Sequence, residues 1–282
     1  MPQTFRFLLA ESEPREAREQ RRESAGRSSG ESYAETLRQM QPDARIDLVK
    51  PVEEAAPEDL GAFDAVFLCG SPMHVYEDTP EVRRMLDFTR SVFAQGVPAF
   101  GSCAGLQLAV AAAGGTVRER RHGQEAGFAR RITATDAGRG HPLLAGRSMA
   151  WDAIAIQGDE VDTLPPGAVL LAESAGTPVQ AVEIRQGEGL FWGVQYHPEL
   201  SLNEVGPALG RQADTLVEDG LARDRSGLEA FARRVDALAE EPDRRDLAWQ
   251  LGLDGQVTDT AMRRLELRNF IDRLAAARRD AR

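Results

Sequence analysis

"VPAFGSCAGLQLAV", Val97 to Val110, sets a cysteine among glycines and small residues, with an apolar run before it and a helix-forming run after it. A short apolar run bounded by glycine reads as a buried strand, and "GLQLAVAAAGG" reads as a helix. Cys103 therefore falls at a strand-to-helix turn, the setting of a nucleophile elbow. So sharp a turn forces an unusual backbone at its centre and close approach of its flanks, which glycine accepts and larger residues do not. The helix N-terminus adds partial positive charge beside the sulfur and favours thiolate. For a cysteine taken alone, burial and inertness are the better reading. Cys69, inside an apolar strand, keeps it, and residues downstream decide the matter for Cys103.

Working outward, strand-like runs at Thr4–Ala10, Arg45–Pro51, Asp64–Gly70 and Val97–Gly101 alternate with the helical patterns "SYAETLRQMQ" and "PEVRRMLDFTRSVFAQG". That alternation predicts βαβ units and a mostly parallel sheet. The middle of the chain changes character. "GFARRITATD", "MAWDAIAI", "AVLLAES", "PVQAVEI" and "GLFWGVQYH" are closely spaced strands with turns such as "LPPGA", which predicts a mixed or antiparallel extension. From Leu202 the pattern is helical, with apolar candidates Trp249, Leu251, Leu253, Leu265, Leu267, Phe270 and Ile271. The expected division is a domain over 1–201 and a helical extension over 202–282, which either covers one edge of the core or forms a homodimer or partner surface. Arg15–Ser32, charged and then Gly/Ser-rich, reads as a mobile loop or as a helix followed by a hinge.

Composition bounds the function. The chain has 282 residues, 42% of them hydrophobic, enough for a substantial core. No apolar run is long enough to span a membrane, and "MPQTFRFLLAESEPRE" is too short in apolar residues and too acidic in its flanks for a signal peptide, so the expected location is cytoplasmic with no membrane partner. A net charge of −11 argues against nucleic acid, and the run Arg118–His122 reads as a solvated edge. Two cysteines supply neither a disulfide framework nor a thiolate metal site. His74, His122 and His141 lack ligand spacing, so no metal is expected.

"WGVQYHPEL", Trp192 to Leu200, ends a strand with a histidine and, two residues on, a glutamate. A thiolate nucleophile needs a base within hydrogen-bond reach, and the base needs a carboxylate to hold its tautomer. Residues i and i+2 of an extended segment face one side, so Glu199 can reach His197 while Pro198 stiffens the link.

Together these segments resemble the class I, triad-type glutamine amidotransferases, in particular stand-alone GMP-synthase-like members. The resemblance covers roughly the first 200 residues and rests on "FLCGSPMHVYE", "GSCAGLQLA", Gly158–Val182 and "GVQYHPE" in the family's order. It implies a three-layer α/β, flavodoxin-like fold. It also implies Cys103 as nucleophile, His197 as general base and then acid, and Glu199 as orienting carboxylate. The backbone of Ala104 and of the Gly70–Ser71 turn would form the oxyanion hole, with Ser71 where the family commonly has glycine. Gln107, Gly158 and Asp159 would bind substrate. Gln157 stands where many relatives carry histidine, a departure that bears on partner communication or substrate preference rather than on the triad.

The chain carries no phosphate loop and no synthetase motif, and no cofactor is expected. The leading expectation is hydrolysis of glutamine to glutamate, with ammonia passed to a separate synthetase subunit. Its alternative is a stand-alone hydrolase of γ-glutamyl amides or peptides, with Arg15–Ser32 and Met73–Tyr76 as rims of a wide pocket. A third reading, a non-catalytic binding subunit, is opposed by the intact Cys103, His197 and Glu199.

Overall fold

The computed structural model describes residues 4–121 and 123–280, so His122 lies outside the described residues. Eleven strands form among them: β1 (Arg6–Ala10), β2 (Arg45–Val49), β3 (Ala65–Leu68), β4 (Ala99–Ser102), β5 (Thr116–Glu119), β6 (Glu125–Ala134), β7 (Ala150–Gln157), β8 (Asp159–Thr163), β9 (Val169–Glu173), β10 (Ala181–Gln186) and β11 (Gly189–Val194). Nine of them make one sheet in the order β2-β1-β3-β4-β11-β10-β9-β6-β7. The half from β2 to β11 is parallel, and from β11 to β7 every neighbour is antiparallel. The expected extension is thus the second half of one continuous mixed sheet.

Alternation along the parallel strands sends side chains to two cores. Leu8, Ala10, Val66 and Leu68 enter one, and Phe7, Leu9, Ala65, Phe67 and Cys69 the other, all fully buried. Helices α1 (Arg15–Ala25), α2 (Ser29–Met40), α3 (Pro80–Ala94) and α4 (Ala104–Ala112) follow the strands. α3 and α4 cover the first core and α2 the second, so the molecule has three layers. Arg15–Ser32 resolves into α1, a left-handed Gly26 at φ 76°, and a capping box in which Ser28 and Glu31 open α2.

β5 and β8 pair as a separate two-stranded ribbon that the sequence did not announce. Each strand has a single apolar residue, Val117 or Val161, and these face each other and are buried. Pairing relies instead on Arg118, which bridges to Glu160 and Asp162. Hydrophobic periodicity has nothing to register in such a strand.

The C-terminal helices are α5 (Val205–Arg211), α6 (Ala213–Glu218), α7 (Arg225–Glu240), α8 (Arg245–Leu251), α9 (Gly255–Thr258), α10 (Thr260–Arg263) and α11 (Leu265–Asp280). α5 to α9 share a third core with Phe128 and Ile154 of the antiparallel half. α11 inserts Leu267, Phe270, Ile271 and Leu274 into the second core, where the Phe270 ring lies 5.6 Å from those of Phe67 and Phe100. Trp249 departs from its apolar reading: it is 75% exposed on α8, with the Arg245 guanidinium over its ring. No described helix is long and apolar enough to cross a membrane.

Candidate active site

The carboxyl ends of β1, β3, β4 and β11 converge on one crevice, where parallel α/β sheets place ligands. Its cavity of about 360 Å³ is lined by Gly70 and Ser71 after β3, Cys103 after β4, His197 and Glu199 after β11, and Gln107, Gly158 and Asp159. Every residue singled out from the sequence except Ala104 lines this cavity, and Ala104 adjoins it as the first residue of α4.

Cys103 sits at φ 53° and ψ −116° at the N-cap of α4, one of two described non-glycine residues with positive φ. A left-handed φ at a residue bearing a Cβ is strained and persists only where the surroundings fix it. They do so here: the Cys103 N–H donates to Val194 O at 2.9 Å, tying the elbow to β11, and the Gln107 N–H donates to Cys103 O at 3.1 Å. Two glycines permit the packing. A Cβ on Gly105 would overlap the Leu68 carbonyl, and one on Gly70 would lie 2.8 Å from His197 Cε1. The Ala104 N–H heads a helix whose first-turn donors have no intrahelical acceptor.

His197 Nδ1 and Glu199 Oε1 are 2.7 Å apart, and both residues are buried. The pair leaves Nε2 as the nitrogen available to Cys103. Burial disfavours the imidazolium, but the charges and hydrogen bonds of Glu199 and Cys103 outweigh it and raise the His197 pKa to about 10. Cys103 Sγ faces Ile156 O at 3.9 Å. Cys69, by contrast, is sealed in the core, where burial pushes its thiol well above the usual range.

On one side of Cys103, Gln107 Nε2 donates to Asp159 O at 3.2 Å and to Gln195 Oε1 at 3.3 Å. The Asp159 carboxylate lies 2.8 Å from His74 Nδ1, and burial raises its pKa against the pull of His74. His74 is therefore a paired residue. His141 likewise pairs with Glu183, 3.0 Å away. Gln157 is buried and donates to Glu125 Oε2 at 2.6 Å. Ser71 Oγ donates to Ser12 O and accepts from Met73 N–H, each at 3.1 Å, which stiffens its turn. Both predicted rims reach the cavity, Arg15–Ser32 through Ala17, Gln20 and Arg21 of α1 and Met73–Tyr76 through His74.

The lining also includes Arg21, within the segment expected as a rim, and three charged residues that sequence reasoning missed: Glu13, Glu204 and Arg211. None sits in a motif, and Glu204 and Arg211 lie beyond 201, where the first domain was expected to end. The far helices also hold the His197 segment. Tyr196 OH donates to Glu266 Oε1 at 2.8 Å, a carboxylate that Arg147 pairs in the interior, and Arg263 Nε donates to Leu200 O at 3.0 Å. The described residues contain no group of three or more His, Cys, Asp or Glu suited to a metal.

Comparison with known proteins bears on the family and the fold. The family described as glutamine amidotransferase class-I matches residues 25–213. A γ-glutamyl-L-1-hydroxyisopropylamide hydrolase from a Pseudomonas species is 33% identical over 277 residues, 96% of this chain and 93% of that one. The glutamine-hydrolysing GMP synthase of Thiobacillus denitrificans is 36% identical over 163 residues, 53% of this chain and 27% of that enzyme. This chain thus spans about a quarter of that synthase's length. A glutamine amidotransferase from Thermotoga maritima has the same fold, with a TM-score of 0.66, 17% identity, and coverage of 96% of this chain and 98% of that one.

Proposed function

Given that the chain belongs to the class-I glutamine amidotransferase family, we propose that it hydrolyses the amide bond of γ-glutamyl amides as a self-sufficient enzyme. The observation that carries the reading is the cavity itself: beyond Cys103 it continues to a polar wall supplied by α1 and α5 of the same chain, leaving room for an amine larger than ammonia. The match to a hydrolase of such an amide along nearly its whole length supports it.

In this mechanism the Cys103 thiolate, facing a protonated His197, attacks the γ-carbonyl carbon. The N–H groups of Ala104 and of the Gly70–Ser71 turn stabilise the oxyanion. His197 gives its proton to the departing nitrogen, the C–N bond breaks, and a γ-glutamyl thioester remains. His197 then takes a proton from water, which attacks the thioester, and glutamate leaves with the thiolate restored. Glu199 holds the imidazole in register throughout. Gln107, Gly158 and Asp159 are assigned to the glutamyl end of the substrate.

A second reading is glutamine hydrolysis with ammonia passed to a separate acceptor, favoured by the similarity to GMP synthases over half the chain. Glutamate release from L-glutamine and from a panel of γ-glutamyl amides, each beside Cys103→Ala, separates the two. Cys103-dependent turnover that is faster on the amides is expected. Turnover of glutamine alone would establish the second reading, and turnover that survives Cys103→Ala would overturn the mechanism.

A further inference from the structure

Glu13, Arg21, Glu204 and Arg211 form a charged part of the cavity lining. Arg21 Nη1 lies 3.6 Å from Glu13 Oε1 and its Nη2 lies 3.5 Å from Glu204 Oε1, so Arg21 spans two carboxylates. Both carboxylates are further satisfied by fixed donors. Glu13 accepts from Ser29 N–H at 3.1 Å. Glu204 accepts from Ser201 N–H and its hydroxyl, each at 2.9 Å, and from Ser32 Oγ. Glu204 thus meets four donors, and Glu13 is held between Arg21 and the Ser29 amide.

Arg211 differs. It projects from the last turn of α5 to the cavity, and its one hydrogen bond among the described residues runs from Nη1 to Ser24 Oγ of α1 at 2.9 Å. No described carboxylate lies within ion-pairing distance of it. Burial and the nearby Arg21 hold its guanidinium below its usual range, against the weaker opposing pull of Glu13 and Glu204. A guanidinium offers five donors in a planar fork, and here one is used.

We infer that Arg211 forms, with α1, a leaving-amine subsite that selects γ-glutamyl amides whose amine carries an oxygen acceptor, a carboxylate above a hydroxyl. The inference rests on the γ-glutamyl amide reading. A substrate whose glutamyl end lies toward Gln107 and Asp159, with its γ-carbon at Cys103, directs its amine substituent away from them toward this wall. There a carboxylate meets the fork in bidentate geometry, and a hydroxyl accepts a single bond.

Three substrates with a two-carbon amine test it: γ-glutamylglycine, γ-glutamylethanolamide and γ-glutamylethylamide. Wild-type kcat/KM is expected to fall in that order, with γ-glutamylglycine ahead of the ethylamide by about tenfold. The ratio should drop about fivefold or more in Arg211→Gln, fall further in Arg211→Glu, and recover in part in Arg211→Lys. Arg211 belongs to none of the three hydrophobic cores, and far-ultraviolet circular dichroism of each variant checks that it folds. A ratio unchanged in both Arg211→Gln and Arg211→Glu, or a wild type that prefers the ethylamide, overturns the subsite alone. A wild type that turns over none of the three while hydrolysing glutamine overturns the amide reading and the subsite with it.

Discussion

Two helices flank the cavity, and they are held by opposite physics. α4 carries Cys103 at its N-terminus, and eight of its nine residues are buried against β3, β4 and α3. α1 forms the far wall, and one of its eleven residues, Arg18, is buried. Close packing leaves α4 a single arrangement, since a displacement of one methyl group is felt in a dense interior. α1 is tied down by ion pairs, Arg18 to Glu53, Arg21 to Glu13 and Glu204, and Arg22 to Glu31. Arg22–Glu31 is exposed and individually weak, and the pairs of Arg18 and Arg21, though more buried, fix α1 through a few atoms rather than through a packed face. The contrast suits a site whose bond-breaking end must be fixed and whose amine end must admit different partners.

The largest effect should come from the fixed end. Glu199→Gln preserves shape but removes the charge that orients His197 and raises its pKa. A loss in kcat of about 10³- to 10⁴-fold on any γ-glutamyl amide is expected, by analogy with the carboxylate of serine-protease triads. The same substitution has a signature in stability. Since His197 titrates at about 10 in the fold against an ordinary 6.5, the folded chain holds a proton between those values that the unfolded chain has lost. That contribution is complete below the lower value and disappears as pH rises through the upper one. Urea midpoints measured from about pH 7 to about pH 9.5 should therefore fall in wild type, and the slope should flatten in Glu199→Gln. An equal slope in both proteins would detach Glu199 from the His197 charge.

Next in size is a packing test of whether the tail belongs to the fixed part. Phe270 of α11 is 1% exposed and contacts the rings of Phe67, Phe100 and Trp192 beneath the parallel strands. Phe270→Ala should cost about 3–5 kcal/mol of unfolding free energy, as for aromatic truncations in a close-packed core. Truncation that leaves chemical stability unchanged would make α11 a detachable cover.

Where the chain obeys one physical rule at a time, its sequence could be read. The central parallel strands β1, β3 and β4 are largely apolar runs, and Cys103, His197 and Glu199 stand in segments whose residue types and strand context point to them. β5 and β8 were illegible because charge pairs rather than apolar alternation hold them together. The Asp159–His74 contact joins residues 85 apart, and no local pattern encodes it. The wall that Glu13, Glu204 and Arg211 build around Arg21 was hidden for a related reason. Its members come from a loop, α1 and the start of the C-terminal helices, and each alone is an ordinary surface charge. Only the fold brings them to one cavity.

The smallest effect tests that wall directly. If ion pairs are what hold α1, raising salt from about 50 mM to about 1 M shortens the screening length from more than 10 Å to about 3 Å and weakens the exposed Arg22–Glu31 pair, the more buried pairs of Arg18 and Arg21 much less. The free energy at stake is under about 1 kcal/mol per exposed pair, so amide exchange in 15–25 should speed up about two- to fivefold. Amides of α4, buried in apolar surroundings, have no such pairs to lose, and salt should leave their protection unchanged. Hydrogen exchange resolved by peptide at the two salt concentrations measures both helices in one sample. Equal insensitivity would mean that α1 is held by its backbone caps, Gly26 and the Ser28–Glu31 box behind it, and the amine wall would then be as rigid as the elbow it faces. A selective response would leave the elbow fixed and the wall adjustable, with Arg211, whose recorded hydrogen bond goes to α1, moving with the helix that salt releases.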